Sequence, residues 1–122
     1  MAIVRYFVSD LDRSMKFYHG AFGFGEKERW GPAFAIVHRA GLELWLSGPN
    51  TSAAAPMSDG RVPAAGGWNR IVISVSDIQA TVLKLRELGA EFRNDVITGP
   101  GGSQVLVDDP DGNPIEVFQP RD

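Results

Sequence analysis

The sequence predicts an α+β fold made of two tandem βαβββ modules, whose strands form a cupped mixed β-sheet with the helices on the outside. Three observations support this prediction. Residues 8–11, VSDL, recur as residues 75–78, VSDI. Each copy follows a short β-like run and precedes an amphipathic helical pattern, and three more β-like segments follow each helix. We expect one domain over residues 1–122, with module 1 at 1–46, a linker at 47–67 and module 2 at 68–122.

The first module opens with a β-like run over residues 3–8. Asp10 then stands at the N-cap position of a helix, and Gly20 or Gly23 ends that helix. The apolar residues between them follow the spacing of one helical face, at Leu11, Met15, Tyr18 and Phe22. Strands are expected over residues 25–30, 33–39 and 42–46.

The second module repeats this order, starting from a run over residues 71–75. Asp77 is the expected N-cap and Gly89 the expected helix end. The apolar face comprises Ile78, Val82, Leu85 and Leu88. Strands are expected over residues 91–97, 103–108 and 115–118. The segment 47–67 is rich in Gly, Pro, Ser and Ala, which is typical of a linker or a lid.

Strand alternation predicts which side chains enter the cup. In the strand 42–46 the three leucines face the helix, so Glu43 and Trp45 face the cup. The same alternation places Glu116 and Phe118 there. The leading strands contribute a second set, namely Ile3, Arg5, Phe7, Arg70, Val72 and Ser74. The predicted cup is therefore apolar and aromatic, with a few charges.

Composition excludes several functions. The net charge is −3 and no run of Lys or Arg occurs, so neither a nucleic acid nor a membrane is an expected partner. The absence of cysteine excludes disulfides, thiolate metal sites and a thiol nucleophile. No leader pattern and no apolar run of membrane-spanning length occurs, so we expect a cytoplasmic protein.

Two stretches, VSDLDRSMKFYHGAFGF at residues 8–24 and DDPDGNPIEVFQP at residues 108–120, carry a family resemblance. With the paired modules, they make the chain similar to the vicinal oxygen chelate superfamily of glyoxalases, bleomycin resistance proteins and extradiol dioxygenases. The acids of DDPDGN are explained by a tight turn alone. The resemblance also implies a homodimer.

Metal-dependent members of that superfamily bind one divalent ion through the leading and closing strands of both modules. Carried over by resemblance, the closing-strand positions are Glu43 and Glu116, and the leading-strand positions are Ile3 and Arg70. A hydrocarbon and a guanidinium offer no lone pair to a metal. We therefore expect no metal or other cofactor, and we interpret Glu43 and Glu116 as vestigial metal positions. Glu43, Arg70 and Glu116 are expected to form an ion pair or a triad. The closest likeness is to the metal-free, bleomycin-resistance type of binding protein.

Two functions follow as hypotheses. The first is a metal-independent binding protein that sequesters a small aromatic or drug-like metabolite, in the manner of antibiotic resistance or self-resistance. The alternative is a metal-dependent or carboxylate-based lyase, isomerase or dioxygenase-like enzyme, with Glu43 or Glu116 as weak catalytic candidates. A small-metabolite sensor is a third possibility. The expected ligand-binding residues are Arg5, Phe7, Phe34, His38, Trp45, Trp68, Arg70 and Phe118.

Overall fold

The structure is a computed structural model that describes residues 1–122. The chain divides into two compact units, Met1–Ala65 and Gly66–Asp122. Each unit contains one α-helix and one mixed sheet, in the order strand, α-helix, strands. The α+β class and the tandem βαβββ organisation are confirmed. The single-domain organisation stays a prediction, and the residues following 47, which we expected to form a linker, group with the first unit as far as Ala65.

The first unit contains a four-stranded sheet in the order β1-β4-β3-β2. The leading strand β1 pairs in parallel with the closing strand β4, and the other neighbours are antiparallel. Its elements are β1 (Ala2–Phe7), α1 (Leu11–Phe22), β2 (Gly25–Trp30), β3 (Phe34–Arg39), β4 (Leu42–Ser47) and a short 3₁₀ helix (Ser52–Ala54).

The second unit repeats the parallel pairing of leading and closing strands, here β5 with β9. The sheet order is β5-β9-β8-β6, and β7 also pairs with β8. Its elements are β5 (Ile71–Ser74), α2 (Ile78–Glu87), β6 (Glu91–Phe92), β7 (Ile97–Gly99), β8 (Gly102–Asp108) and β9 (Pro114–Pro120).

The continuous strand predicted over residues 91–97 is wrong. The structure has two short strands there, β6 and β7, separated by a bend at residues 93–96. The side-chain oxygen of Asn94 accepts the backbone N–H of Leu106 at 2.9 Å, in the place of a strand carbonyl. A short amide side chain competes with the backbone ladder in this way and interrupts the strand.

Both helices begin at the predicted caps. A carboxylate oxygen of Asp10 accepts the Arg13 N–H at 3.1 Å, and Asp77 accepts the Ala80 N–H at 3.1 Å. The first helix ends at Gly23, whose φ of 73° is left-handed. One face of each sheet packs on its helix. The buried residues of that face include Leu44 and Leu46 in the first unit and Ile115 and Val117 in the second. We call the opposite face of each sheet the helix-free face.

The hairpin between β8 and β9 is organised by the buried side chain of Asp109. One carboxylate oxygen accepts the backbone N–H groups of Asp111 and Asn113, both at 2.9 Å, and the other accepts the side-chain amide of Asn113 at 2.9 Å. This is the turn chemistry that the sequence predicts for DDPDGN.

We predict that Asp109→Ala lowers the free energy of unfolding by about 2 kcal/mol, because buried N–H donors lose their acceptor. Urea denaturation measures the change. The exposed Asp95 serves as a control, and Asp95→Ala should stay within about 0.5 kcal/mol of the parent. Equal stabilities for the two variants would contradict this account of the hairpin.

Candidate functional site

Strand pairing arranges the helix-free face of the first sheet in cross-strand rows. Residues that face each other across paired strands share a side of the sheet. From β1 through β4 to β3, the rows are Ile3, Glu43 and His38; Arg5, Trp45 and Ile36; and Phe7, Ser47 and Phe34. This face therefore brings together seven module 1 residues that were predicted for the cup or for ligand binding, which are Ile3, Arg5, Phe7, Phe34, His38, Glu43 and Trp45.

Three aromatic rings form a continuous surface on this face, which we call the aromatic row. The ring centroid of Phe34 lies 5.9 Å from that of Trp45, edge to face, and 5.3 Å from that of Trp30. Trp30 remains 65 % exposed. At the other end, the guanidinium of Arg5 lies 5.2 Å from the Trp45 ring centroid and donates to the Ser47 hydroxyl at 3.2 Å. The row thus consists of apolar rings ending at a cation.

Glu43 is buried, with 4 % of its surface exposed, and both of its carboxylate oxygens are engaged. One accepts the indole N–H of Trp45 at 3.2 Å, and the other forms an ion pair with the Lys27 ammonium. Lys27 reaches it from a β-bulge in β2, where the pairing register shifts between Glu26 and Glu28. The partner of Glu43 therefore comes from its own module.

The Lys27 pair sets the charge state of Glu43. The hydrogen bond from Lys27, and then the one from Trp45, hold the pKa of Glu43 below its ordinary value, although burial acts in the opposite direction. The hydrogen bond and charge of Glu43 raise the pKa of Lys27 in turn. Glu43 is consequently ionised at pH 7, and the ammonium of Lys27 compensates its charge.

The helix-free face of the second sheet carries the rows Val72, Glu116 and Leu106, and Ser74, Phe118 and Gln104. Arg70 precedes β5 and reaches Glu116 through two donors. Its Nε and Nη2 donate to Glu116 Oε1 at 3.2 and 2.9 Å. A third nitrogen lies 3.4 Å from the Trp68 carbonyl oxygen. The Arg70–Glu116 ion pair expected from the sequence is present.

Backbone hydrogen bonds show which positions correspond between the two modules. The N–H of Val8 donates to the Ser47 carbonyl at 3.0 Å, and the N–H of Val75 donates to the Phe118 carbonyl at 2.8 Å. Val8 and Val75 are the same position of the sequence repeat. Ser47 therefore corresponds to Phe118.

This register separates the two glutamates that the sequence treats as equivalent. Glu116 lies two residues before Phe118, whereas Glu43 lies four residues before Ser47. The structural counterpart of Glu116 is Trp45. A shift of two residues keeps every side chain on the same face, so alternation alone does not reveal it.

The donor chemistry of these positions does not fit a divalent ion. Ile3 has no donor atom and Arg70 is a permanent cation. Both oxygens of Glu43 already accept, from the Lys27 ammonium and the Trp45 indole, and Oε1 of Glu116 accepts from the Arg70 guanidinium. The structure contains no group of three or more histidine, aspartate or glutamate side chains that could hold a metal ion. A divalent site normally draws on three or four such ligands.

The predicted histidine His38 is exposed and sits opposite Glu43 in the sheet register. Trp68 is 69 % exposed, at the start of the second unit. Phe7 and Phe118 are half-buried on the helix-free faces of their own sheets. The roles of these residues in ligand binding stay predictions.

Sequence reasoning missed Arg93, which holds Trp68 in place. Its guanidinium lies 4.7 Å from a Trp68 ring centroid and donates to the Asp108 carboxylate at 2.7 Å. It also donates to the carbonyls of Gly67 at 2.7 Å and Gly112 at 3.0 Å. The sequence explained Asp108 by turn chemistry alone, but Asp108 forms an ion pair with Arg93. Through Arg93 the start of the second unit is connected to its final hairpin.

Lys27 was also missed, and the sequence contains little signal for it. Residues 26–29 of β2 are all charged, so alternation assigns no face to any of them. The bulge that turns Lys27 toward Glu43 follows from pairing with β3 and has no local sequence signature here.

The fold agrees with a comparison to known families. The model of the Glyoxalase/Bleomycin resistance protein/Dioxygenase superfamily matches residues 1–117. The chain belongs to this superfamily. The resemblance drawn from the sequence is confirmed at that level.

Individual relatives within the superfamily differ in what they are described to do. The chain is 29 % identical to a lactoylglutathione lyase of Haemophilus influenzae, over 92 % of this chain and 86 % of that protein. A superfamily member from Sphaerobacter thermophilus has a TM-score of 0.76 at 25 % identity, covering 98 % and 95 % of the two chains. TnmS3, an antibiotic binding protein from a Streptomyces species, has a TM-score of 0.72 at 23 % identity, covering 98 % and 93 %.

The helices of this protein are too short or too polar to cross a membrane.

We predict that Lys27→Met destabilises the protein most at neutral pH. A carboxyl with a lowered pKa contributes stability above its unfolded pKa and loses it as the pH falls through the folded value. Without Lys27 the buried carboxylate of Glu43 is uncompensated at pH 7, whereas protonation removes the difference at low pH. Melting temperatures between pH 3 and 8 should show a gap between variant and parent that closes toward acid.

Lys84→Met is the matched control, since Lys84 is exposed on α2. It should give a small shift in melting temperature with no pH trend. A Lys27→Met gap that is constant with pH would show that the ion pair does not set the charge state of Glu43.

Proposed function

We propose that this protein is a metal-independent, cytoplasmic binding protein that sequesters a small planar aromatic metabolite, in the manner of antibiotic resistance or self-resistance. The observation that carries this proposal is the aromatic row of Trp30, Phe34 and Trp45 with Arg5 at its end. Apolar rings beside one placed cation suit a planar, partly polar ligand that contacts the rings and pairs with the cation.

The state of the carboxylates supports binding over catalysis. Glu43 is neutralised by Lys27 and Glu116 by Arg70. A general base works best with a pKa near the operating pH, and the pKa of Glu43 is displaced the other way. The proposal requires no reactive group, and none of the charged pairs has to be broken for a ligand to stack on the rings.

The relatives are compatible with this proposal without deciding it. TnmS3 is described as an antibiotic binding protein, which shows that a chain of this fold serves in ligand binding. The likeness at 23 % identity concerns the fold alone.

The competing function is a lyase, isomerase or dioxygenase-like enzyme. The identity of 29 % to a lactoylglutathione lyase over most of both chains favours it. Such an enzyme would use Glu43 or Glu116 as its base, or as ligands of a metal. Both oxygens of Glu43 and one oxygen of Glu116 are engaged, and these contacts, with the side chains of Ile3 and Arg70, speak against either use.

A thermal-shift screen of planar aromatic metabolites and antibiotics tests the proposal. A ligand at one hundred times its Kd should stabilise the protein by about 2.7 kcal/mol. The shift should be the same with a chelator or with added Ni²⁺, Zn²⁺, Mn²⁺ or Fe²⁺. Trp45→Leu should weaken binding about tenfold through the lost ring contact. Phe92→Leu, a ring on β6 beside Arg86, should leave the affinity unchanged.

Two results would contradict the proposal. One is a stoichiometric metal that copurifies with the protein and is lost in Glu43→Gln or Glu116→Gln. The other is turnover of a bound ligand that the same substitutions abolish. Either result would move the assignment to an enzyme.

Assembly as a homodimer is part of the same proposal. Large apolar side chains remain exposed on the leading strands of both sheets, with Ile3 and Val72 each 53 % exposed. In the proposed dimer these side chains would be covered by the second copy of the chain. Light scattering should give twice the chain mass of 13.3 kDa at micromolar concentration. A single-chain mass under those conditions would refute the dimer.

A further inference from the structure

We propose that the ligand of the first module is an aromatic anion, whose acidic group pairs with Arg5 while its rings contact the aromatic row. This inference rests on the proposed function, because it specifies the chemical class of ligand for the same surface. It also gives Arg5 a defined role as the residue that selects for charge.

Arg5 differs from the other cations on the two helix-free faces in having no carboxylate partner. Lys27 is paired with Glu43, and Arg70 with Glu116. Arg5 donates one hydrogen bond, to the neutral hydroxyl of Ser47 at 3.2 Å. A guanidinium has five N–H donors arranged as a fork that matches the two oxygens of a carboxylate. Donors therefore remain for a bidentate acceptor.

The surroundings leave the charge of Arg5 uncompensated. Its neighbours along β1 on this face are the apolar side chains of Ile3 and Phe7. Two carboxylates share this face of the first sheet. Glu43 is paired with Lys27, and Glu28 lies on β2. Three strand spacings separate β1 from β2, on the order of 14 Å. That separation exceeds the Debye length of about 8 Å at physiological ionic strength, so Glu28 does little to cancel the charge.

The position of Arg5 over Trp45 fixes where the acidic group and the rings would lie. The guanidinium lies 5.2 Å from the Trp45 centroid, and the row continues to Phe34 and Trp30 in steps of 5.9 and 5.3 Å. Stacking on an indole restrains the guanidinium, so less rotamer freedom is lost when it binds an anion. A carboxylate held by Arg5 therefore places the adjoining ring of the ligand at Trp45.

Matched pairs of planar acids and their amides test this inference on the full chain. Calorimetric titrations with 2-naphthoate against 2-naphthamide, and with the corresponding anthracene pair, compare a charged ligand with a neutral one of the same shape. The acid should bind at least tenfold more tightly, as expected for a charge-assisted bidentate contact. In Arg5→Gln the acid should fall to the affinity of the amide, with amide binding unchanged.

Arg86→Gln is the control, since Arg86 is exposed on α2 and contacts Phe92; it should alter neither affinity. Arg5→Lys keeps the charge without the fork, so acid binding should weaken several-fold while amide binding stays the same. This variant also decides the matter if Arg5→Gln fails to fold, because unchanged acid affinity in Arg5→Lys would overturn the bidentate contact.

The other outcomes separate this inference from the proposed function. Equal affinity of acid and amide for the parent protein would overturn the anion preference and leave aromatic binding intact. A preference for the acid that survives in Arg5→Gln would overturn the assignment to Arg5. Failure of every acid and amide to bind would contradict the proposed aromatic-binding function, and this inference with it.

Discussion

The parallel pairing of the leading strand with the closing strand in each module is the constraint on which the rest of the structure depends. It places β1 beside β4 and β5 beside β9, and so decides which side chains share a row. Arg5 lies beside Trp45 and Ile3 beside Glu43 only because of this register. Such a pairing joins residues some forty positions apart in sequence. The helix between the two strands packs on one face of the sheet and leaves the other face without a helix.

Charge neutralisation inside each module is the second organising feature. A buried carboxylate is costly unless a cation and hydrogen bonds compensate it. Glu43 obtains both from Lys27 and Trp45, and Glu116 obtains its cation from Arg70. Each module thus supplies the counter-charge of its own carboxylate. The same contacts that stabilise these residues also reduce their value as bases or ligands.

The sequence predicts most of the fold because its local signals agree. The caps at Asp10 and Asp77, the helical spacing and the strand alternation are all short-range patterns. What it does not predict depends on pairing between distant strands. The bulge at Lys27, the interruption at Asn94 and the register difference between Glu43 and Glu116 are set by contacts with β3, β8 and the leading strands. Arg93 was missed for the same reason, since its acceptors lie up to 26 residues away.

The two modules have diverged in the chemistry of their helix-free faces although they share a backbone plan. The first has a row of three rings and a cation without a carboxylate partner. In the second, Glu116 stands at the position that corresponds to Trp45, and both arginines near Trp68 are committed to Glu116 and Asp108. A guanidinium that is already paired with a carboxylate has a strong acceptor, so a ligand would have to displace that carboxylate to bind the guanidinium. The asymmetry therefore supports the proposed recognition of an acidic group by Arg5 in the first module, whereas Arg70 and Arg93 in the second module each already pair with a carboxylate.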